Sequence, residues 1–374
     1  MRFYKIKIKN LEPIVLTERR TERGYKNPLR YIQSSTLRGA LITSLYLNGY
    51  IKKEYLKELM NKPSIVSSNA YPIKDGSESY PAHPFMYECK IEHEDIKGKE
   101  RKNYINEIIK QLEKGENIEY KIECSKGHMA LDYIHPKPII LKNNPNIMFE
   151  TVSLDTELKI SIGVSKHRAT TQKGMLYEYD MLIENQEFWA FLGISEELSK
   201  YINKDIEIKI GRGISRGYGI SKLIDIKEIN IDDIKDKINN LIKERMIFYA
   251  LTCLLDSDTF VNYSSYPEKI DLNDVAKIYG FKLNDCGALF IEKVYGKTRD
   301  FSSGWDMVKN VKRPFFKGIA SEGSIVIAKL NIKENTKDAL AILSLIGYPI
   351  KIKDFMIFGN NIMVPIKMHP IGSG

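Results

Sequence analysis

Twice along the chain the spacing of apolar residues changes in the same order: period two, helical, period two, period two, helical, period two. In the first half "RFYKIKIKN" alternates Phe3, Lys5 and Lys7 with Tyr4, Ile6 and Ile8, the pattern of a half-buried strand. "SSTLRGALITSLYLNGYI" follows as a helix: Leu37, Leu41 and Leu45 recur at helical spacing, and Ser34 or Ser35 is placed to cap it. Strand-like "ELKISIGVS" and "EFWAFLGIS", a short helix "EELSKYIN", and strands "DIEIKI" and "ISKLIDIKEI" complete this half. In the second half the same order reads "MIFYALTCLLDS", "DLNDVAKIYG", "GALFIEKVYG", "GSIVIAKLNI", "TKDALAILSLIG" and "IKIKDFMIFG".

A strand–helix–strand–strand–helix–strand order is the ferredoxin-like, or RRM-like, arrangement. The expectation is an α+β protein of two such βαββαβ domains, at residues 1–229 and 230–374. The charged helical run 230–244 marks the boundary. A length of 374 residues suits two domains. The first domain carries a large insertion at about 62–150, Pro/Ser/Tyr-rich and irregular at first and then charged, with "NYINEIIKQLEKG" as a short helix. "LTERRTERGYKNPLRYIQ" reads as a basic loop broken by Gly24 and Pro28, and "HRATTQKGMLYEYDMLIENQ" as turn-prone.

The net charge of +9 is concentrated at one end. Residues 1–60 hold thirteen basic and five acidic side chains, a net +8. That excess permits a phosphate-rich partner. No apolar run approaches the roughly 18 residues a membrane span needs. The alternating start is unlike a signal peptide, and four cysteines do not make a disulfide framework in a chain this long. A soluble cytoplasmic protein is expected.

The densest motif is "GRGISRGYGI" at 211–220. It lacks the GK[ST] ending of a Walker loop. Strand-like sequence follows it, so it does not fit a dinucleotide fingerprint either. One reading is a hairpin whose glycines only supply positive φ. The other is a backbone that approaches a nucleic acid closely, with Gly211, Gly213 and Gly217 free of Cβ, exposed N–H groups and Ser215 facing the ligand, and Arg212 and Arg216 on phosphates. The start of the first helix offers a second anion site at Ser34, Ser35 and Thr36 with Arg38 nearby; a plain amphipathic helix is the alternative. Arg19, Arg20 and Arg23 in the basic loop suit RNA steering. His167 and Arg168, just after a strand, complete a candidate groove. The segment "SSGWDMVKNVKRPFFKGIASEGSIVI" interleaves Trp305, Phe315 and Phe316 with Lys309, Lys312, Arg313 and Lys317, a composition suited to single-stranded nucleic acid or to an ordinary loop with aromatics folded inward.

"CKIEH" and "CSKGH" space Cys89 from His93 and Cys124 from His128 by four. Two such pairs can complete a tetrahedral structural zinc site within the insertion. Four unrelated surface residues are the alternative, and His83 and His135 are competing ligands. No other cofactor is indicated. Cys253 and Cys286 lie in apolar surroundings and read as core.

Taken in order, these motifs resemble the RAMP superfamily of CRISPR-associated proteins (repeat-associated mysterious proteins). "YIQSSTLRGAL" looks like the family's yiPGSslrGAl segment, with Gln33-Ser34 where Pro-Gly is usual. "GRGISRGYG" looks like its glycine-rich loop, of form G-x-G-x-S-R-G-x-G. "AYPIKDGSESYPAHPFMYECK", "SKHRATTQKGMLYEYDML" and "SSGWDMVKNVKRPFFKGIASEGS" look most like the Csx-ten group, the Cas-five-like subunit of type III-D effector complexes. The motifs run from about residue 30 to 325. The resemblance implies a noncatalytic subunit that grips the 5′ handle of the CRISPR RNA and caps the backbone of the complex. It implies a large polymerase/nuclease-type subunit and backbone RAMP subunits as neighbours, with target RNA met indirectly and no membrane. Three alternatives stay open: a metal-independent endoribonuclease that processes CRISPR precursor RNA with His167 as acid or base, a backbone RAMP subunit that cleaves target RNA, and a protein-interaction scaffold without RNA contact, which the basic first sixty residues argue against.

Overall fold

In the computed structural model, residues 1–21, 24–91, 100–119, 122–124, 126–144, 147–165, 170–257, 265–306 and 308–372 are described. The first strand, Arg2–Asn10, is central to an antiparallel sheet. Ile220–Ile229 pairs on one side of it (Phe3 opposite Ile229) and Glu187–Ile194 on the other (Ile6 opposite Ala190). Outside Glu187–Ile194 lie Ile65–Ser67 and Tyr71–Lys74. The strands Arg245–Ala250, Ala288–Tyr295, Ile325–Asn331 and Met363–Pro365 repeat this layout. Arg245–Ala250 is flanked by Met363–Pro365 and Ile325–Asn331, with Ala288–Tyr295 beyond the latter. In both sheets, then, the first strand lies between the last strand and a long one, Glu187–Ile194 or Ile325–Asn331, and an earlier strand lies outside that long one.

The alternation in Arg2–Asn10 serves two cores. Ile6 and Ile8 face the helix Ser34–Leu47, whose Leu37, Leu41 and Leu45 are fully buried against them, as the spacing predicts. Phe3 points the other way, into a core shared with the second half. That core holds the helix Thr336–Ile346, in which Ala339 through Ile346 are all buried. Its neighbours are the helices Ile231–Asn239 and Leu272–Ile278 and strands of both sheets. The approach is close: a Cβ on Gly193 would lie 2.9 Å from Ile346 Cγ2. The charged run expected at the boundary is the helix Ile231–Asn239. It is capped by Asn230, which accepts from the Asp232 N–H, and it is joined to the buried helix by Lys235–Asp338 at 2.9 Å.

Several elements depart from expectation. Neither Ser34 nor Ser35 caps the first helix. Gln33 holds the cap position without a side-chain bond, and the Ser34 N–H donates to Asn69 Oδ1 (2.9 Å) from a distant segment. Of the stretch 62–150 expected as an insertion, Ile65–Ser67, Tyr71–Lys74 and Ser77–Glu78 belong to the first sheet. The rest supplies a six-stranded sheet from Tyr80–Pro81 to Ile147–Thr151, with the helix Ile105–Glu113 beside it. The turn-prone segment is a long strand, Thr170–Leu182, in a hairpin with Thr156–Ser165. The basic loop is a second hairpin, Thr17–Thr21 with Gly24–Pro28, and the two hairpins form one four-stranded sheet. "IKIKDFMIFG" does not close the second sheet. It folds on itself as Ile350–Ile352 and Phe355–Ile357 around a two-residue turn, with Lys353 at φ +52°. No helix among the described residues is long and apolar enough to cross a membrane.

The six-stranded sheet meets the second half at buried histidines: His135 Nε2 lies 3.0 Å from Ser321 Oγ, and His369 packs edge-on against Tyr80 with ring centroids 4.7 Å apart. His83 Nε2 is 2.7 Å from Asn103 Oδ1, and its Nδ1 accepts from the Phe85 N–H. His369 stacks on Tyr249 with centroids 4.1 Å apart. Burial pushes the imidazoles of His83 and His369 down to about 3, from 6.5. Between those values the unfolded chain binds protons that the native one does not, so this contribution is complete above about 6.5 and is lost as pH falls toward 3.

This packing has two testable consequences. Leu340→Ala, in the shared core, lowers stability by about 2–5 kcal/mol. In urea unfolding of a Trp305→Phe background, Trp189 fluorescence and far-ultraviolet circular dichroism shift together; an unmoved Trp189 transition would show that the halves do not share a core. Unfolding midpoints fall as pH is lowered from about 6.5, and His369→Gln flattens that dependence.

Candidate nucleic-acid interface

The glycine-rich segment joins the edge strand Glu207–Lys209 to Ile220–Ile229 in the first sheet. Between them Ile214–Arg216 makes a single 3₁₀ turn, with Gly213 and Gly217 in the left-handed region at both ends. Two other glycines answer to the protein's own chain. A Cβ on Gly211 would lie 2.6 Å from the Val15 carbonyl oxygen, and one on Gly219 would lie 2.1 Å from that of Ile210. Gly217 alone among the loop's glycines has nothing within 4 Å of where its Cβ would be. The clearance expected for a ligand along the whole loop is therefore confined to its tip.

That tip is exposed: Arg212, Ile214, Ser215, Arg216 and Gly217 face solvent, whereas Tyr218 and Gly219 are buried. The loop is also fixed in place. The Arg212 N–H donates to the Val15 carbonyl (3.1 Å) and the Gly219 N–H to that of Pro13 (2.8 Å). Val15 and Tyr218 pack with Tyr179 and Met181 of the long hairpin strand. The Arg216 guanidinium lies 5.4 Å from the centre of the Tyr179 ring and donates to its hydroxyl. Lys159 sits 5.2 Å over the Tyr218 ring. Cation–π contact of this kind orients a charge at the surface without neutralising it.

The same body carries the basic hairpin. Tyr179 pairs with Tyr25; Tyr25 pairs with Arg20, and Lys26 with Arg19. Arg19 and Arg20 thus occupy the outermost strand of the sheet on which the glycine loop rests. Arg23, His167, Arg168 and His93 lie outside the described residues. Sequence reasoning does not single out Tyr179, Tyr218 or Lys159. The period-two spacing of Tyr177 and Tyr179 in "GMLYEYDML" is the available signal for a strand there.

The other expected phosphate ligands are placed elsewhere. Ser34 is buried; its carbonyl accepts from Ser67 Oγ (3.0 Å), and a Cβ on Gly359 would lie 2.8 Å from its own Cβ. Ser35 and Thr36 are half-buried. Arg38 is buried. Its Nε donates to the Ile65 carbonyl (2.7 Å), and its terminal nitrogen donates to the carbonyls of Leu59 and Lys62. Burial, with Arg313 nearby, lowers its guanidinium to about 9. It remains charged at neutral pH and serves to tie the first helix to the chain after Lys53–Asn61. Arg313 is likewise buried, donating to the Met356 carbonyl beside Phe355. These two arginines are structural, which corrects their expected role.

Lys312 is exposed, and it pairs across a short hairpin with Trp305, itself 53% exposed. Phe315 is 37% exposed, with Lys312 5.5 Å over its ring, whereas Phe316 is core. A second basic–aromatic surface therefore survives in the C-terminal half.

No family model and no curated protein matches this sequence. Among solved structures, the chain is similar to one in the type III-B Cmr-beta complex bound to cognate target RNA: 16% identity, 86% of each chain covered, TM-score 0.48. It is also similar to one in the Csm3–Csm4 subcomplex of the type III-A CRISPR-Cas interference complex: 15% identity, 98% of this chain and 99% of that chain covered, TM-score 0.42. A crystal structure of oligomeric Cmr4 from Pyrococcus furiosus covers 62% of this chain at 13% identity, with a TM-score of 0.27. At TM-scores below 0.5 these likenesses say nothing about the site.

The glycines make a graded prediction. Gly217→Ala, at positive φ with open space, costs about 1–2 kcal/mol. Gly219→Ala costs more, because a Cβ there must displace backbone. Thermal denaturation of the two variants checks the order; equal costs would contradict it.

Proposed function

We propose that this chain is a noncatalytic RNA-binding subunit of a type III CRISPR-Cas interference complex, of the Cas-five-like Csx-ten kind. Its RNA is the 5′ handle of the CRISPR RNA. Its neighbours are a large polymerase/nuclease-type subunit and backbone RAMP subunits, and target RNA is met indirectly, in the cytoplasm. The ordered motif set supplies the CRISPR context. The observation that carries the RNA-binding reading is the exposed tip Arg212–Gly217, held rigidly against the sheet whose outer strand bears Arg19 and Arg20. Two arginines on a fixed turn present charge-assisted hydrogen bonds to phosphate at little entropic cost. Lys312 and Trp305 extend the reading with a stacking surface suited to unpaired bases. The two halves, 1–229 and 230–374, are read as diverged ferredoxin-like units, which their common strand order supports.

The double variant Arg212→Ala, Arg216→Ala tests this with labelled single-stranded RNA. Affinity falls, and the slope of log K against log salt becomes shallower by about 0.7 for each phosphate that is no longer neutralised. Unchanged affinity and slope would remove the loop from the interface. RNA incubated with the protein in EDTA stays intact under this reading. Site-specific cutting that His167→Ala abolishes would replace it with an endoribonuclease.

A further inference from the structure

We infer that Cys89, Cys124 and His128 bind a zinc ion that fastens an irregular segment of the chain to the six-stranded sheet. The ligand atoms of these three residues all lie within 4.8 Å of one another. Cys89 Sγ and His128 Nδ1 are 3.6 Å apart. A tetrahedral ion with Zn–S near 2.3 Å and Zn–N near 2.0–2.1 Å sets neighbouring S and N donors roughly 3.5 Å apart. Two thiolates and an imidazole are a soft donor set that suits zinc over magnesium or calcium.

The three donors come from two directions. Cys89 ends the strand Met86–Cys89 and is fully buried. Cys124 and His128 lie on a tight turn: the Gly127 N–H donates to the Cys124 carbonyl (2.8 Å), and the Cys124 N–H donates to that of His128 (3.1 Å). The His128 N–H also points at Cys124 Sγ (3.4 Å), which holds the sulfur on the inside of the turn. His128 is only half-buried, which gives an ion a way in.

The histidines that compete in sequence are committed elsewhere. His135 Nδ1 lies 2.6 Å from the Ala82 carbonyl oxygen and its Nε2 3.0 Å from Ser321 Oγ. His83 uses both nitrogens, on Asn103 and on the Phe85 N–H. A Cys89–Cys124 disulfide would leave the imidazole at Cys89 Sγ without purpose; a metal uses all three groups. The need for a fastener is local. The described residues between Glu113 and Leu131 form neither helix nor strand, and a stretch of that length inside a compact sheet is uncommon without one. Binding deprotonates both thiols and releases two protons, so affinity falls as pH is lowered.

The test is metal analysis of the full-length protein purified under reducing conditions and equilibrated with zinc. About one equivalent is retained after gel filtration, whereas Cys89→Ser with Cys124→Ser retains almost none and Cys286→Ser retains it fully. Wild-type protein stripped of zinc and reloaded with Co²⁺ shows thiolate-to-cobalt charge transfer, a readout that does not depend on the double variant folding. Zinc persisting in the double variant would overturn the site. So would a wild-type protein that takes up neither zinc nor cobalt in its reduced state.

Discussion

Burial of the helix Thr336–Ile346 on every side is the constraint from which the rest of the arrangement follows. A helix with Ala339 through Ile346 buried cannot be satisfied by one sheet. It is covered by its own sheet, by the helices Ile231–Asn239 and Leu272–Ile278, and by the first sheet through Phe3, Val66 and Gly193. The first sheet is therefore buried on both faces, with Ser34–Leu47 on the far side. Its strand Ile220–Ile229, which leads out of the glycine loop, is paired along its length with Arg2–Asn10. The rigidity of the loop is inherited from this core and not made within the loop.

Charge at the surface is decided by the same packing. Arg38, Arg299 and Arg313 are drawn inward. Arg299 pairs with Glu322 at 3.3 Å beneath the seam between the halves, and the other two donate to backbone carbonyls. Each donates to acceptors that are otherwise out of reach of water. Arg212, Arg216 and Lys312 are left outside, Arg216 against the Tyr179 ring and Lys312 across from Trp305. Counting arginines along the chain gives the total charge; only burial separates the ones that can reach a phosphate.

Much of the fold was legible. Leu37, Leu41 and Leu45 announced the first helix because they recur on its buried face at helical spacing. The period-two runs announced Arg2–Asn10, Glu187–Ile194 and Ile220–Ile229 in the first sheet and Arg245–Ala250, Ala288–Tyr295 and Ile325–Asn331 in the second, but "ELKISIGVS" joins the hairpin sheet, and the unannounced Ile65–Ser67, Tyr71–Lys74 and Met363–Pro365 take places in the two main sheets. What was missed has physical reasons. Thr170–Leu182 begins "TTQKG", polar enough to read as a turn, and only its tyrosines mark the buried face. "IKIKDFMIFG" has the right period for a strand, but the Lys353-Asp354 turn carries no glycine or asparagine to give it away. Ser34 looked like a cap because local sequence could not show that Asn69 would arrive from another segment. Of the candidate site, the glycine loop itself was readable. That Gly211 and Gly219 make room for Val15 and Ile210 was not, since such contacts are set by tertiary pairing. The paired Cys-x₃-His spacing was visible too, but which histidines remained available depended on His83 being claimed by Asn103 and Phe85 and His135 by Ala82 and Ser321.

The central claim is that RNA meets this chain at the exposed turn between Arg212 and Gly217. Photo-crosslinking of the protein bound to single-stranded RNA, with crosslinked peptides identified by mass spectrometry, tests it most directly. The account predicts crosslinks in the peptides spanning 211–218 and in the hairpin 17–28. Crosslinks confined to other surfaces, with none in 211–218 at saturating RNA, would contradict it.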